Sequence, residues 1–327
     1  MVNLKAIAGS CGVGISTVST ALNHPQKISR TLREKILTSA RNMGYFEKNN
    51  KNVLTKVIIV ADNYKNYFYG EYYQDVIFGI QQQLSSMKIP LLILSDFSID
   101  YSEIYDYSGI IFVGRTPEEY ISKAVKYKIP FILAGHPFHN NQFTCVYQNT
   151  VSGIQDLLEY VVSCGHKNIA LLKGETDPLD WAWGNFNSTF LDVLKDRRID
   201  FSDKDIFQAS YHKVELVEIA VNKLLSAGKK YSVVMCSNDL LACYVYKVAE
   251  KYKIRIPAEI SITGFDGINF PRHTRRYEPE LTTMVADRIL IGTEAVKGLI
   301  LIIKKDEKYK GAVIDMVPHI GNSVIRV

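Results

Sequence analysis

The chain has 327 residues, more than one ordinary domain holds, so two or three units are expected at about 150 residues each. Hydrophobic residues make up 47% and charged residues 22%, which excludes a disordered, collagen-like or coiled-coil chain. The net charge of +5 is unevenly placed: of 39 Lys/Arg and 34 Asp/Glu, nine and two fall in residues 1–56, leaving +7 there and −2 on the rest. A basic head on a near-neutral body is the footprint of a polyanion-binding module, and the alternative is a solvated basic arm. Whether the head can fold decides between them.

The head reads as three short helices. Leu4, Ile7, Ala8 and Cys11 recur at i, i+3, i+4, i+7, which predicts a first helix over about 4–11 with Asn3 as its N-cap. Gly12-Val13-Gly14 breaks it. A second helix is predicted from Ile15 to Asn23, with Val18, Ala21 and Leu22 inward and Ser16, Ser19, Thr20 and Asn23 outward. Pro25 ends it. Ser29 can cap a third helix over about 30–43, with Gly44 as its stop. Two helices joined by a tight Gly-bearing turn and braced by a third form a helix-turn-helix, whose second helix enters the DNA major groove. A small three-helix bundle without nucleic acid has the same spacing; the +7 charge favours DNA. Residues 47–56 are polar and Asn/Lys-rich, a linker.

The body alternates short apolar runs with helical patterns. Strands are predicted at 57–61, 91–95, 110–113, 131–134, 169–172, 233–236, 260–263 and 312–317. Helices are predicted at 72–87, 117–127, 151–164, 187–197, 214–227, 239–252 and 287–303. Repeated βα units with unalternating strands mean parallel sheets covered by helices, either one barrel or two open sheets. Ligands in open α/β sheets bind beyond the carboxyl ends of strands. Those ends carry the Tyr-rich stretch 63–73, Gly135-His136, Ser237-Asn238-Asp239 and Phe265-Asp266, the stacking faces and paired polar groups a sugar or base requires. Ordinary packing would explain each Tyr as well, and helix capping would explain Asn238 and Asp239.

Other classes leave no mark. The apolar run Leu299–Ile303 stops at Lys304, far short of the ~18 residues of a membrane span. The N-terminus has no signal-peptide core, so a cytoplasmic protein is expected. The five cysteines form no CxxC pair and read as buried free thiols. No Walker A, HExxH or GxSxG sequence occurs, and Gly9, Gly12 and Gly14 lack the dinucleotide order, so no catalytic residue, cofactor or metal is assigned. His136 and His139 lack an evident third ligand.

Specific runs go further. Leu4–Ala8, Gly12-Val13, Thr17–Asn23, Ile28-Ser29, Leu32–Ile36 and Met43–Tyr45 resemble the headpiece of the lactose-repressor/galactose-repressor (LacI/GalR) family of bacterial transcription regulators. Tyr72-Tyr73, Cys164–Ala170, Ser237–Leu240, Gly264–Asp266 and Pro279–Thr283 resemble its regulatory core. The resemblance implies an α/β protein: a helix-turn-helix headpiece (1–46), a short linker (47–56) and a periplasmic-binding-protein-like core of two Rossmann-like subdomains (57–149 with 284–309; 150–283 with 310–327). It further implies a homodimer on palindromic double-stranded operator DNA, with a small-molecule effector, a sugar or sugar derivative, in the cleft between subdomains. The DNA-binding candidates are Asn3, Lys5, Ile15, Ser16, Thr17, Ser19, Thr20, Asn23, His24 and Ser29. The effector-binding candidates are Tyr72, Tyr73, Gln148, Phe186, Tyr211, Asn238 and Asp266.

The chain departs from the family pattern. Gly14 stands where the family has Ser, Thr20 where it has Arg, Phe186 where it has an Arg that grips sugar hydroxyls, and Gln148 where it has Asp. Gly135-His136 replaces an Asp-Arg pair, and the hinge-helix motif is missing, with Leu54 a candidate minor-groove wedge or a plain linker residue. Fewer charged clamps imply a different effector, or none. The expectation is a repressor of a carbohydrate-use operon; the alternatives are control by a protein partner or by no ligand, or a sugar-binding protein or enzyme on the same core.

Overall fold

The computed structural model describes residues 3–46, 54–61, 67–94, 99, 101, 104, 107–137, 142–174, 181–209, 214–227, 230–268, 279–306 and 308–327, with backbone alone at 25, 67–71, 181–187 and 214. The head forms α1 (Leu4–Cys11), α2 (Ile15–Asn23) and α3 (Arg30–Asn42). Asn3 Oδ1 accepts the Ala6 N–H at 3.0 Å and Ser29 Oγ accepts the Leu32 N–H at 3.4 Å, which caps α1 and α3. Gly12 ends α1 at φ 68°, in the left-handed region where a Cβ is strained. Ile7, Val18 and Ile36 are fully buried where the helices meet. Each such side chain contributes about 1.5–3 kcal/mol on leaving water, so three short helices hold one shape.

Strands and helices then alternate: β1 (Val57–Val60), α4 (Tyr67–Ser86), β2 (Leu91–Leu94), β3 (Gly109–Val113), α5 (Glu118–Lys126), β4 (Phe131–Ala134) and β5 (Cys145–Gln148). Next come α6 (Thr150–Ser163), β6 (Ile169–Gly174), α7 (Trp181–Asp196), β7 (Ile206–Ala209), α8 (Val214–Leu225), β8 (Val233–Cys236), α9 (Asp239–Tyr252) and β9 (Ser261–Thr263). The chain continues through β10 (Thr283–Ala286), α10 (Arg288–Ile303), β11 (Gly311–Ile314) and β12 (Met316–His319). The strands form two open sheets, ordered β11-β5-β4-β3-β1-β2 and β7-β6-β8-β9, with β10 and β12 an antiparallel pair; there is no single barrel among the described residues. Also among them, no helix is long and apolar enough to cross a membrane.

By contacts the chain divides into two compact units, one of residues 1–66, 73–146 and 289–312, the other of 67–72, 147–288 and 313–327. In the first, β1 and β3 are buried at every residue, which is why they read as unbroken apolar runs. There α4 and α10 approach through glycine. A Cβ on Gly79 would lie 2.1 Å from the Ile289 carbonyl oxygen, and one on Gly292 would lie 2.0 Å from that of Val76. In the second, β6, β8 and β9 pack against α8 and α9 around Leu172, Val217, Leu241 and Ile262.

Four strand expectations change. β5, β7 and β10 are strands that alternation did not reveal, because each has only four residues and mixes polar with apolar side chains. The run 312–317 is two strands, parted at Asp315, whose carboxylate accepts Asn149 Nδ2–H at 2.9 Å while the Asn149 N–H goes to the Ile314 carbonyl at 2.7 Å. The helix expected from Tyr72 begins at Tyr67, and the one expected from Asn187 begins at Trp181.

Candidate nucleic-acid interface and ligand site

The outer face of α2 carries Ile15, 48% exposed, with exposed Ser16 and Asn23 and partly exposed Thr17, Ser19 and Thr20. Its polar groups are partly turned back on the helix. Thr20 Oγ1 donates to the Ser16 carbonyl at 2.9 Å, and Asn23 Nδ2 donates to the Ser19 carbonyl at 3.1 Å. Lys5 and His24 are exposed. Asn3 and Ser29 are exposed but serve as caps, so what they bring to a phosphate is the N-terminus of a helix. Gly14 starts α2 with no side-chain cap.

The basic head is less bare than its count. Arg33, 5% exposed, donates Nε–H to the Ala21 carbonyl at 3.2 Å, in the last turn of α2. Lys35 Nζ donates to the Cys11 carbonyl at 3.1 Å, at the end of α1. Both cations sit where a helix C-terminus favours them. Arg41 Nη1 donates to the Tyr127 carbonyl at 3.2 Å, just past α5, and its guanidinium lies 5.8 Å from the Phe46 ring centre; burial lowers its pKa to about 10. Lys5 and Lys27 are exposed, and Arg30 is exposed beside Glu34 at 3.4 Å.

Leu54 is neither a wedge nor a plain linker residue: it is 5% exposed, part of the apolar interior. Beside it the Thr55 N–H donates to Ser108 Oγ at 2.8 Å, so the end of the linker is anchored. Residues 47–53 lie outside the described residues.

Three of the seven ligand-site candidates, Tyr72, Gln148 and Asp266, form a chain of contacts in the second unit. Tyr72 Oη donates to Gln148 Oε1 at 2.8 Å, and Gln148 Nε2 donates to Asp266 Oδ1 at 3.0 Å. Asp266 sits at φ 93°, a backbone conformation that L side chains rarely adopt. Arg288 holds it there: Nη1 donates to the carbonyls of Asp266 at 2.7 Å and Gly267 at 3.1 Å, and the guanidinium lies 5.6 Å from the Tyr72 ring centre. Burial raises the Asp266 pKa, while the Gln148 bond and the Arg288 charge pull it back.

Behind this turn lies Asp239, 1% exposed. Thr283 Oγ1 donates to its Oδ1 at 2.5 Å and the Ile268 N–H donates to its Oδ2 at 2.6 Å. Burial, opposed by these bonds and aided by the nearby Asp266, pushes its carboxyl up to about 8. Gly264 is needed beside it, since a Cβ there would lie 2.1 Å from Asp239 Oδ1. Asn238, 4% exposed, caps α9 by accepting the Leu241 N–H at 2.9 Å. Tyr73 belongs to the first unit, where its ring lies 3.0 Å from the place a Gly114 Cβ would take. Phe186 is in α7 with its side chain outside the described residues, as are those of Trp181 and Trp183; Tyr211 and His139 lie outside them altogether.

Arg288 was not among the sequence candidates. A signal existed: it is a cation in the first turn of a helix, where the dipole opposes positive charge.

A helix-turn-helix head followed by a core of two α/β units, the second of which carries this polar cluster, is the architecture of a DNA-binding regulator. Residues 3–47 match the description "Bacterial regulatory proteins, lacI family", and residues 55–318 match "Periplasmic binding proteins and sugar binding domain of LacI family". The chain belongs to the LacI family and is a transcriptional regulator. It is 24% identical over 321 residues to catabolite control protein A of Priestia megaterium, covering 93% of each chain. Its fold is similar to that of the transcriptional regulator CelR in complex with cellobiose, with a TM-score of 0.69 and 18% identity over 99% of this chain and 100% of that one. It is similar also to the lac repressor dimer bound to operator and an anti-inducer, with a TM-score of 0.69 and 16% identity over 99% of each.

Proposed function

We propose that the protein is a cytoplasmic, homodimeric repressor of a carbohydrate-use operon, whose operator affinity a small hydroxylated ligand controls. Residues 1–46 bind double-stranded DNA, 47–56 connect, and 57–327 sense the ligand and dimerise. The observation that carries this is the union, in one chain, of an exposed hydroxyl-rich recognition helix with a clamped carboxylate turn on the sugar-binding fold of the family. Ile15, Ser16, Ser19, Thr20 and Asn23 meet base edges; Lys5, Lys27 and the starts of α1 and α3 meet phosphates. Tyr72, Gln148 and Asp266 hold the ligand, and the ligand acts by favouring one of two core conformations that present the headpieces differently.

Selection of duplexes from a random pool by the full chain should yield a palindrome with half-sites about one helical turn apart. Binding should weaken steeply with salt as counterions are released. Removal of residues 1–56 should abolish it and leave a folded dimer. A truncated chain that still held the selected duplex would disprove the headpiece assignment. A second reading, regulation without a ligand, draws on one observation: Tyr72, Gln148 and Asp266 already bond one another. A full chain that holds operator DNA yet responds to no sugar, nucleoside or amino acid would favour it.

A further inference from the structure

We infer that Arg288 is the positioning residue of the ligand site: it clamps the turn that presents Asp266, and so commits the site to uncharged hydroxylated ligands and against phosphorylated ones. This rests on the effector reading just proposed.

Three observations carry it. The first is place. Arg288 opens α10, where aligned peptide dipoles disfavour a cation, and it is 8% exposed, so desolvation disfavours it as well. Neither helix formation nor core packing favours a guanidinium there. The second is what it grips. Its Nη1 bonds go to the carbonyls of Asp266 and Gly267, both residues at positive φ (93° and 65°). Two donors on consecutive carbonyls fix a turn that the Asp266 backbone resists on its own. The third is which member of the pair stays accessible. Asp266 is half-buried whereas Arg288 is buried, so of the pair Asp266 is the residue more open to an incoming ligand. An ionised carboxylate only accepts hydrogen bonds. It receives hydroxyl groups and repels phosphate. Burial of the turn raises the Asp266 pKa, and the Gln148 bond and the Arg288 charge pull it back towards the ionised form. Gln148, bonded to both Tyr72 and Asp266, completes an uncharged and hydrogen-bonding surface.

The test uses the full chain and matched probes: glucose with glucose 6-phosphate, ribose with ribose 5-phosphate, and cellobiose, titrated by calorimetry. The wild type should bind at least one uncharged probe and prefer it over its phosphate. Arg288→Met should weaken that binding by about tenfold or more, as loss of charge-assisted bonds does, and Arg288→Lys should recover part of it. A second readout needs no ligand. The carbon-13 carboxyl signal of Asp266, identified by its absence in Asp266→Asn, should titrate about one pH unit higher in Arg288→Met and return towards wild type in Arg288→Lys. A purely structural role would move neither. If Arg288→Met does not fold, Arg288→Gln serves, since its amide can still reach one carbonyl.

An unmoved Asp266 titration in a folded variant overturns the positioning role. A phosphorylated probe that binds as well as its uncharged partner overturns the ligand class. A chain that binds no probe, yet shows the Asp266 displacement, keeps the positioning role and sinks both the ligand class and the effector reading.

Discussion

Arg33 in the headpiece and Arg288 in the second unit are both buried, at 5% and 8% exposure, and both donate to main-chain carbonyls. Their settings are opposite. Arg33 reaches the last turn of α2, where the helix dipole welcomes a cation; Arg288 stands in the first turn of α10, where the dipole opposes one. A buried cation that agrees with its helix is explained by folding alone. One that disagrees with its helix needs another reason, and at Arg288 the strained turn carrying Asp266 supplies it. Gly14 apart, the headpiece is built from local rules that point one way, whereas the Asp266 cluster violates several of them at once.

The comparison breaks most visibly in stability. Arg33→Met removes the donor to Ala21 and should destabilise the headpiece by about 2–3 kcal/mol, the range for a lost bond to a charged group. Headpiece amides should lose hydrogen-exchange protection, operator binding should fall with them, and the melting of the remaining chain should stay put. Arg288→Met should do the reverse, with a global stability change under about 1 kcal/mol, because the helix dipole and desolvation both disfavour the cation it removes. Two variants with equal stability losses would erase the distinction between the two arginines.

Most of the headpiece is legible in the sequence, and the reason is physical. Asn3, Ser29, Gly12 and Gly44 act through bonds three or four residues away, and Leu4, Ile7, Ala8 and Cys11 report one helix face directly. The core was legible where strands are wholly or almost wholly buried, as at 131–134 and 233–236, which begin and end as expected. It was not legible at β5, β7 and β10, whose four residues mix polar with apolar side chains and carry no period. The ligand cluster was half legible. Carboxyl ends of strands pointed to Asp266, and family positions to Tyr72 and Gln148. Arg288 escaped because its partners are carbonyls, and a carbonyl leaves no trace in a sequence. Leu54 was misread for a related reason: burial against distant residues cannot be seen in a polar linker.

Acidity sharpens the contrast between the two regions. The folded Asp239 carboxyl keeps its proton to about pH 8, while the unfolded one loses it near 3.8. Between those values the folded state binds more protons than the unfolded state, so stability falls as pH rises through that window. The slope cannot exceed roughly 1.4 kcal/mol per pH unit for one group, and near neutrality about 1 kcal/mol between pH 6 and 7 is expected. Asp239→Asn should remove it at little cost. The Asn oxygen can accept the Ile268 N–H in place of Oδ2, and its amide nitrogen, in place of Oδ1, meets the Thr283 hydroxyl, which turns from donating to accepting. Denaturant melts at pH 6 and 7 check this, and a slope that survived in Asp239→Asn would have to come from elsewhere.

The smallest expected effect tests the headpiece half of the comparison at its one exception. α2 starts at Gly14 without a side-chain cap, although α1 and α3 have theirs. Gly14 has φ −75° and ψ 155°, which any residue adopts, and an added Cβ would meet Ser16 Oγ at 3.5 Å and Thr17 Oγ1 at 3.8 Å, ordinary contact distances. Nothing in the fold therefore requires glycine. Gly14→Ser should supply an oxygen to the first turn of α2 and stabilise the headpiece by a few tenths of a kcal/mol, roughly the difference between Ser and Gly at an N-cap. If folding were the whole reason for this residue, operator affinity would hold or rise with stability. A stabilised variant that binds its operator more weakly would show that the bare start of the recognition helix is kept for the DNA, and that the headpiece, too, breaks a local rule where it meets its ligand.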